Sequence, residues 1–148
     1  MLGEVRPEVL EATLRAADVL RAAGHTVEHY DPSSAPPAGS IEEFLPVWRY
    51  AVSGVPSISE RLLRPVTRWL RDPKELPSFE EAHAARVALA SRIEEHFEHC
   101  DVLLTPTVSH TAPKVGEHER PDDPAQWFRD TARYGALTAP FNLTQGPA

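Results

Sequence analysis

The residues best suited to contact a small molecule lie near the end of the chain, where polar side chains alternate with proline and glycine. Thr138, Asn142 and Thr144 stand in the run Thr-Ala-Pro-Phe-Asn-Leu-Thr-Gln-Gly-Pro-Ala, which ends at Ala148. Threonine and asparagine in such surroundings usually fix a turn by bonding to the backbone. The same groups can also face a substrate, and for Asn142 the sequence leaves both roles open.

The sequence offers few candidates for a serine nucleophile with a lysine base. The lysines, Lys74 and Lys114, both lie in predicted loops, and the adjacent serines Ser33 and Ser34 lie in a loop of prolines and alanines. A lysine serves as a base only in a desolvated setting that lowers its pKa, and turn formation accounts for the serine pair. We therefore expect no catalytic residue in this chain.

Histidine, cysteine and acidic residues crowd together between Glu94 and Asp101. On a helix His96 and Cys100 share one face while His99 points elsewhere, and a zinc site needs three or four convergent ligands. We expect no metal site here. Cys100 is predicted to face the core, and the histidine and glutamate side chains around it are predicted to face solvent.

Helical periodicity divides most of the chain into helices, and Ser40, Ser57 and Ser78 each stand three residues before a glutamate, which predicts a capping box at three helix starts. Pro7 and Gly24 mark the start and the stop of the first one. Pro46 and Pro65 fall inside two others and are expected to shorten or kink them. The predicted helices cover residues 7–23, a segment with apolar residues from Phe44 to Tyr50 that starts at Ser40, and residues 57–71, 79–99 and 123–134.

Arginines recur at helical spacing on one of these helices, at Arg61, Arg64, Arg68 and Arg71. A basic helical face can bind an anion or an acidic partner. In an acidic chain the simpler expectation is a solvated face that pairs with nearby carboxylates.

Two short segments are predicted to be strands. Residues 26–30 alternate weakly, and the apolar run Val102–Leu104 is too short for a helix, which predicts a strand buried on both faces. Two isolated strands do not form a stable sheet. The pattern therefore also predicts that these strands need partners from outside the chain.

The stretch Asp101-Val-Leu-Leu-Thr-Pro-Thr-Val, followed by Ala112-Pro113 and by the run from Thr138 to Ala148, resembles the C-terminal half of the amidase signature family. The segment Ala-Ala-Asp-Val-Leu-Arg-Ala-Ala-Gly-His-Thr-Val-Glu-His-Tyr-Asp-Pro at 16–32 resembles a helix–strand step of that family. The likeness is strongest over 7–32 and 79–148 and weakest over 33–77. One position departs from the pattern, because Gly146 follows Gln145 and directly precedes Pro147.

The resemblance implies an α/β fold, namely the C-terminal part of the amidase-signature fold, with helices packed on part of a mixed β-sheet that is incomplete in this chain. It implies one partial amidase domain over 1–148. That domain would contain a helix–strand unit at 1–32, a variable helical segment at 33–77, and a unit at 78–148 with the long helix, the buried strand and the cleft loops. Thr138, Asn142 and Thr144 are the implied substrate-cleft residues.

Members of the family hydrolyse carboxylic amides or move ammonia from glutamine, without a cofactor. A serine attacks the amide carbonyl, a second serine and a lysine assist, and water hydrolyses the acyl-enzyme. These residues lie in a Gly/Ser-rich signature that this sequence does not contain. Gly135 stands where the amidotransferase subunit carries an acidic residue, which favours a general amidase.

The resemblance thus implies a C-terminal amidase fragment that is inactive alone. Its expected partners are a small amide substrate and either an upstream catalytic polypeptide or further copies of the chain. Two alternatives stay open. One is a non-catalytic helical binding module that docks a partner through Trp48, Trp69 and the arginine face, and the other is one half of a split amidase or amidotransferase.

Composition and charge exclude several classes of function. The chain is 41% hydrophobic and 25% charged, as in ordinary globular domains. A net charge of −7 disfavours nucleic acid. No apolar run approaches the roughly 20 residues that span a bilayer, no secretory segment is recognisable, and the single cysteine, Cys100, suits a reducing compartment. We expect a cytoplasmic protein with no cofactor, no metal, and no nucleic-acid or membrane partner.

Overall fold

The chain folds mainly into helices, which a computed structural model describes over residues 5–29 and 40–144. Within these ranges the α-helices are α1 (Pro7–Ala22), α2 (Ile41–Ser53), α3 (Pro65–Leu70), α4 (Phe79–Glu94) and α5 (Pro124–Tyr134). Short 3₁₀ segments lie at Glu60–Leu62, Glu95–Glu98 and Ala139–Leu143. No helix in the described ranges is long and apolar enough to cross a membrane.

The helix starts follow local capping chemistry. The side chains of Ser40 and Ser78 each accept a hydrogen bond from the backbone N–H three residues on. The glutamate at that position in turn accepts from the backbone N–H of the serine, so both of these predicted capping boxes are confirmed. The third prediction is wrong. Ser59, rather than Ser57, caps the 3₁₀ segment by accepting a bond from the Arg61 N–H.

Proline decides where two predicted helices divide. The helix expected over 57–71 is split, because Pro65 occupies the first position of α3, where its missing N–H costs nothing. Pro46 instead lies inside α2, which continues past it to Ser53. The helix expected over 79–99 is shorter as an α-helix, since it tightens into the 3₁₀ segment after Glu94.

The predicted mixed sheet is wrong for the part of the chain that the structure describes. No strand or bridge is found there, and both Val102–Leu104 and residues 26–29 lack regular secondary structure. Residue 30, the end of the first predicted strand, lies outside the described residues. Val102 is 79% exposed, so the run is not buried on both faces. A strand exists only through ladder bonds to a neighbour, and neither segment has one here.

Helix α4 lies at the centre of the packing. It contacts α2 and the 3₁₀ segment Ala139–Leu143, while α3 packs against α2 and α5. Leu89 and Ile93 on α4 are each 1% exposed. Burying one such side chain stabilises a fold by roughly 1.5–3 kcal/mol. The other buried apolar side chains are Ala17, Leu70, Ala82, Ala90, Trp127, Phe128, Leu137 and Leu143.

A buried arginine joins α2 to the end of α3. The Arg49 guanidinium lies 4.7 Å from the centre of the Trp69 ring. Its Nη1 donates to the carbonyls of Trp69 and Leu70 at 3.1 and 3.4 Å. Because carbonyls at a helix end lack intrahelical partners, the guanidinium satisfies groups that would otherwise need water.

Helix α1 is tied to the rest of the chain at its N-terminal end. The Arg6 N–H donates to the Ser109 carbonyl at 2.9 Å. Only Ala17 is buried on this helix, whereas Leu10 and Leu14 remain about half exposed. Gly24 ends the helix region with a positive φ of 97°, as its position in the sequence predicts.

Candidate functional site

The two threonines of the candidate segment bond to their own backbone. Thr138 Oγ1 donates to the Gly135 carbonyl at 3.3 Å, and Thr144 Oγ1 donates to the Phe141 carbonyl at 3.0 Å. The Phe141 N–H in turn donates to the Thr138 carbonyl. Both hydroxyls therefore stabilise the turn around Ala139–Leu143, and both residues are partly buried.

Asn142 differs from its neighbours because its side chain is exposed to solvent. No hydrogen bond of the carboxamide is found within the described residues. The group is held at the surface by a backbone that its neighbours fix. It therefore has both a donor and an acceptor available to a ligand, and its placement in a substrate cleft stays a prediction.

Arg86 holds this segment against α4. Its Nη1 donates to the Leu143 carbonyl at 2.9 Å, across 57 residues of sequence. The signal was present in the sequence, since Arg86 interrupts the apolar stripe of the helix, but its partner could not be read from spacing. Sequence analysis assigned this arginine no role.

Apolar contacts support the same segment from two sides. Leu143 is 4% exposed and lies in one cluster with Leu89 and Ala90, against which Phe44 and Val47 pack. The Phe141 ring meets the Phe97 ring edge to face at 6.5 Å. The candidate segment is thus a packed 3₁₀ turn with one projecting amide.

Ion pairs fix α2 against the neighbouring helices. Glu43 accepts from the Ser40 N–H and from Arg92 Nη2 at 2.8 Å. The backbone bond from Ser40, followed by the bond from Arg92, holds the pKa of Glu43 below its ordinary value of 4.5. Glu42 has a lowered pKa as well, through a bond with its own backbone and then through Arg129 on α5.

A buried serine–histidine pair is a feature that sequence reasoning missed. Ser109 is 1% exposed, and its Oγ lies 2.6 Å from His110 Nδ1 and 3.3 Å from the Arg133 carbonyl. A hydroxyl has one proton and a carbonyl only accepts. Both bonds are satisfied together when Ser109 donates to Arg133 and His110 Nδ1–H donates to Ser109.

This arrangement makes Ser109 a structural joint rather than a nucleophile. Its N–H donates to the Tyr134 carbonyl at 3.4 Å, and its carbonyl accepts from Arg6. The residue therefore connects the loop after Val102–Leu104 to both α1 and α5. A serine that is 1% exposed, and whose hydroxyl donates to a backbone carbonyl, cannot reach a substrate.

The remaining reactive groups do not converge. Lys74 and Lys114 are both exposed, and within the described ranges neither lysine is hydrogen-bonded to a serine. The pair Ser33 and Ser34, like Gln145 and Gly146, lies outside the described residues.

The cluster between Glu94 and Asp101 forms no ligand set. The described residues contain no group of three histidine, cysteine or acidic side chains that could hold a metal. His96 is 8% exposed, so the prediction that it faces solvent is wrong. His99 is exposed as expected, and the partly buried Cys100 Sγ donates to the His96 carbonyl.

Two of the four arginines of the predicted arginine face pair with carboxylates among the described residues. Arg71 Nη2 lies 3.0 Å from Glu60, and Arg64 Nη1 lies 3.3 Å from Glu119. Arg64 also lies over the Trp127 ring at 5.7 Å. The Arg64–Glu119 pair is exposed on both sides, and such a pair stabilises by about 1 kcal/mol at most.

Comparison with known proteins gives the class. The chain matches the profile of the Amidase family over residues 2–148, and it belongs to that family. Proteins provisionally named amidase AmiC, from Mycobacterium tuberculosis and Mycobacterium bovis, are 30% identical to it over 164 aligned positions. The alignment covers 100% of this chain and 33% of those proteins, so the chain spans a third of their length. No solved structure matches it.

Proposed function

We propose that this chain forms the substrate-side part of an amidase, which hydrolyses carboxylic amides to a carboxylic acid and ammonia or an amine. Family membership over residues 2–148 supports the reaction class. We further propose that the 148 residues alone do not turn over amides. The attacking serine and its lysine base would then come from another segment of polypeptide.

One observation carries the second part of the proposal. Among the residues that the structure describes, no serine hydroxyl is bonded to a lysine, and the Ser109 hydroxyl donates to the Arg133 backbone carbonyl. A serine becomes a useful nucleophile only when a base within hydrogen-bond reach removes its proton. Ser109 has a base within reach in His110, but this serine is 1% exposed and cannot meet a substrate, and the described residues contain no serine–lysine pair.

The candidate segment fits a positioning role in this reaction. Arg86 and the cluster around Leu143 fix the backbone, so the exposed Asn142 amide is presented without further ordering. Rigid presentation lowers the entropic cost of binding. In the proposal, Asn142 donates to or accepts from the substrate while Thr138 and Thr144 stabilise the turn, and no cofactor takes part.

The test measures ammonia release from benzamide and propionamide. We expect none above the blank with the purified chain, and turnover when it is produced together with the part of the Mycobacterium tuberculosis AmiC protein to which it does not align. In the active combination, Asn142→Ala should lower kcat/KM about tenfold, the effect of losing one hydrogen bond of about 1.4 kcal/mol. The exposed His99 provides the control, since His99→Ala should leave kcat/KM unchanged.

Amide turnover by the chain alone, at a rate that scales with its concentration, would overturn the proposal that it lacks the catalytic pair. Equal kcat/KM losses in Asn142→Ala and His99→Ala would overturn the role of Asn142.

The alternative of a docking module gains no support from the tryptophans. Trp69 packs against Arg49 and lies 5.7 Å from the Phe128 ring. Trp48 lies 6.0 Å from the same ring and 5.8 Å from Phe44. These rings serve the interior contacts of the helices, although Trp48 keeps 42% of its surface exposed.

A further inference from the structure

A separate pocket lies beside the loop that holds Ser109, where α1 begins. A pocket of about 260 Å³ opens there between the start of α1, the loop 110–118 and α5. None of the candidate cleft residues lines it. Its volume is slightly below the range of drug-sized sites, which starts at about 300 Å³, so it suits a small molecule.

The pocket contains two cations without a carboxylate partner. Arg6 and Lys114 both line it, and within residues 5–29 and 40–144 neither side chain forms an ion pair. The ion pairs of the described residues involve Arg15, Arg21, Arg49, Arg64, Arg71, Arg92 and Arg129 instead. Two positive charges that face one space repel each other, and a bound anion relieves that repulsion.

The two carboxylates of the pocket are already engaged with local donors. Glu117 Oε2 accepts from the Lys114 backbone N–H at 2.7 Å, which closes the turn. Asp130 Oδ1 accepts from Gln126 Nε2 at 2.7 Å, one turn back along α5. Both carboxylates keep their charge, but neither lies close enough to the Arg6 guanidinium or the Lys114 ammonium to form an ion pair.

An aromatic pair forms one wall. The His110 and Tyr134 rings stack at 6.1 Å with an interplanar angle of 14°. The hydrogen bond between His110 Nδ1 and Ser109 Oγ fixes the histidine ring, because Ser109 is itself fixed by α5 and Arg6. His118 is the remaining titratable group in the lining.

We propose that this pocket binds a small carboxylate with a flat apolar body, with Arg6 and Lys114 contacting the carboxylate and the His110–Tyr134 wall contacting the body. The proposal concerns binding by this chain itself and does not depend on amide hydrolysis. Benzoate is the probe, and benzamide is its neutral isostere of equal size.

The test follows the ring resonances of His110, His118 and Tyr134 by NMR during a titration with benzoate. A ligand of nine heavy atoms at about 0.3 kcal/mol per atom gives a Kd of about 10 mM. Benzamide should bind at least tenfold more weakly. Resonance shifts of equal size with benzoate and benzamide would overturn the proposal. So would the absence of shifts at 50 mM benzoate, which is about five times that Kd, or tighter binding of inorganic phosphate than of benzoate.

The chain offers a matched pair of variants, because Lys74 and Lys114 are both exposed lysines in loops. Lys114→Met should weaken benzoate binding about fourfold, the factor for one unit charge at about 5 Å in water. Lys74→Met should leave the Kd unchanged. Glu117→Gln should tighten binding by a similar factor, since it removes a repulsive charge while its amide oxygen still accepts from the Lys114 N–H.

Unchanged far-UV circular dichroism shows that each variant is folded. Equal Kd values for Lys114→Met and Lys74→Met, or weaker binding by Glu117→Gln, would show that the lysine and the glutamate do not face the ligand and would overturn the assignment.

Discussion

Arg86→Met is the change that most directly tests how the candidate segment is held. Methionine matches arginine in helix propensity and keeps an unbranched apolar stem, so α4 should remain intact. The change removes only the bond from Arg86 Nη1 to the Leu143 carbonyl. The turn at Ala139–Leu143 then depends on Leu143 packing and on the bonds of its own threonines.

The magnitude follows from the kind of bond that is lost. A hydrogen bond from a charged donor contributes about 1.5–3 kcal/mol, and the lower figure applies where water can reach the carbonyl. Arg86 is only partly buried, so we expect a loss of about 1.5 kcal/mol. That free-energy loss corresponds to a roughly tenfold larger population of the open segment.

Amide hydrogen exchange measures this opening directly. The Ala139 and Phe141 N–H groups donate to the Gly135 and Thr138 carbonyls, and both should exchange about tenfold faster in Arg86→Met. Arg92→Met on the same helix is the control. Its exposed ion pair with Glu43 should contribute less than about 1 kcal/mol and should leave those two amides unchanged. Unchanged exchange in Arg86→Met, or an equal effect of Arg92→Met, would refute the reasoning.

Two further predictions concern the stability of the helices. Leu89→Ala should lower the free energy of unfolding by about 2–5 kcal/mol in urea titrations, because it leaves a cavity where a side chain only 1% exposed was packed. Val19→Ala, at a position that is 69% exposed, should lower the free energy of unfolding much less. Glu43 has a lowered pKa in the folded chain. Its stabilising contribution is therefore complete above the unfolded value of 4.5 and is lost as the pH falls through the folded value. Glu43→Gln should flatten that acid limb of stability in pH-dependent urea titrations, and an acid limb as steep as that of the unchanged chain would contradict the assigned bonds.

The helices were predictable because their signals are local. Ser40 and Ser78 specify capping boxes within four residues of chain, and Asp123 caps α5 in the same way, with its carboxylate accepting from the Gln126 N–H. Gly135 ends α5 at the expected position. Each of these signals needs only the neighbouring turn, so the sequence alone decides it.

The absence of a strand at Val102–Leu104 was not predictable from the residues of that segment. Three apolar residues before a proline have the composition of a buried strand, yet burial and pairing both depend on other backbone lying alongside. Val102 is 79% exposed and Leu104 is 40% exposed. The local composition is therefore compatible with a buried strand, but the described residues provide no neighbouring strand with which this segment could pair.

The same distinction between local and tertiary information applies to the candidate site. The sequence by itself determined the membership in the amidase family, the turn chemistry of Thr138 and Thr144, and the presence of an amide at Asn142, because each depends on residue type and near spacing. Tertiary structure decided that Arg86 reaches Leu143, that the Ser109 hydroxyl donates to the Arg133 carbonyl, and that Arg6 and Lys114 line the same pocket. The residues of each pair are 24 to 108 positions apart in the sequence, so helix packing rather than local sequence places them together.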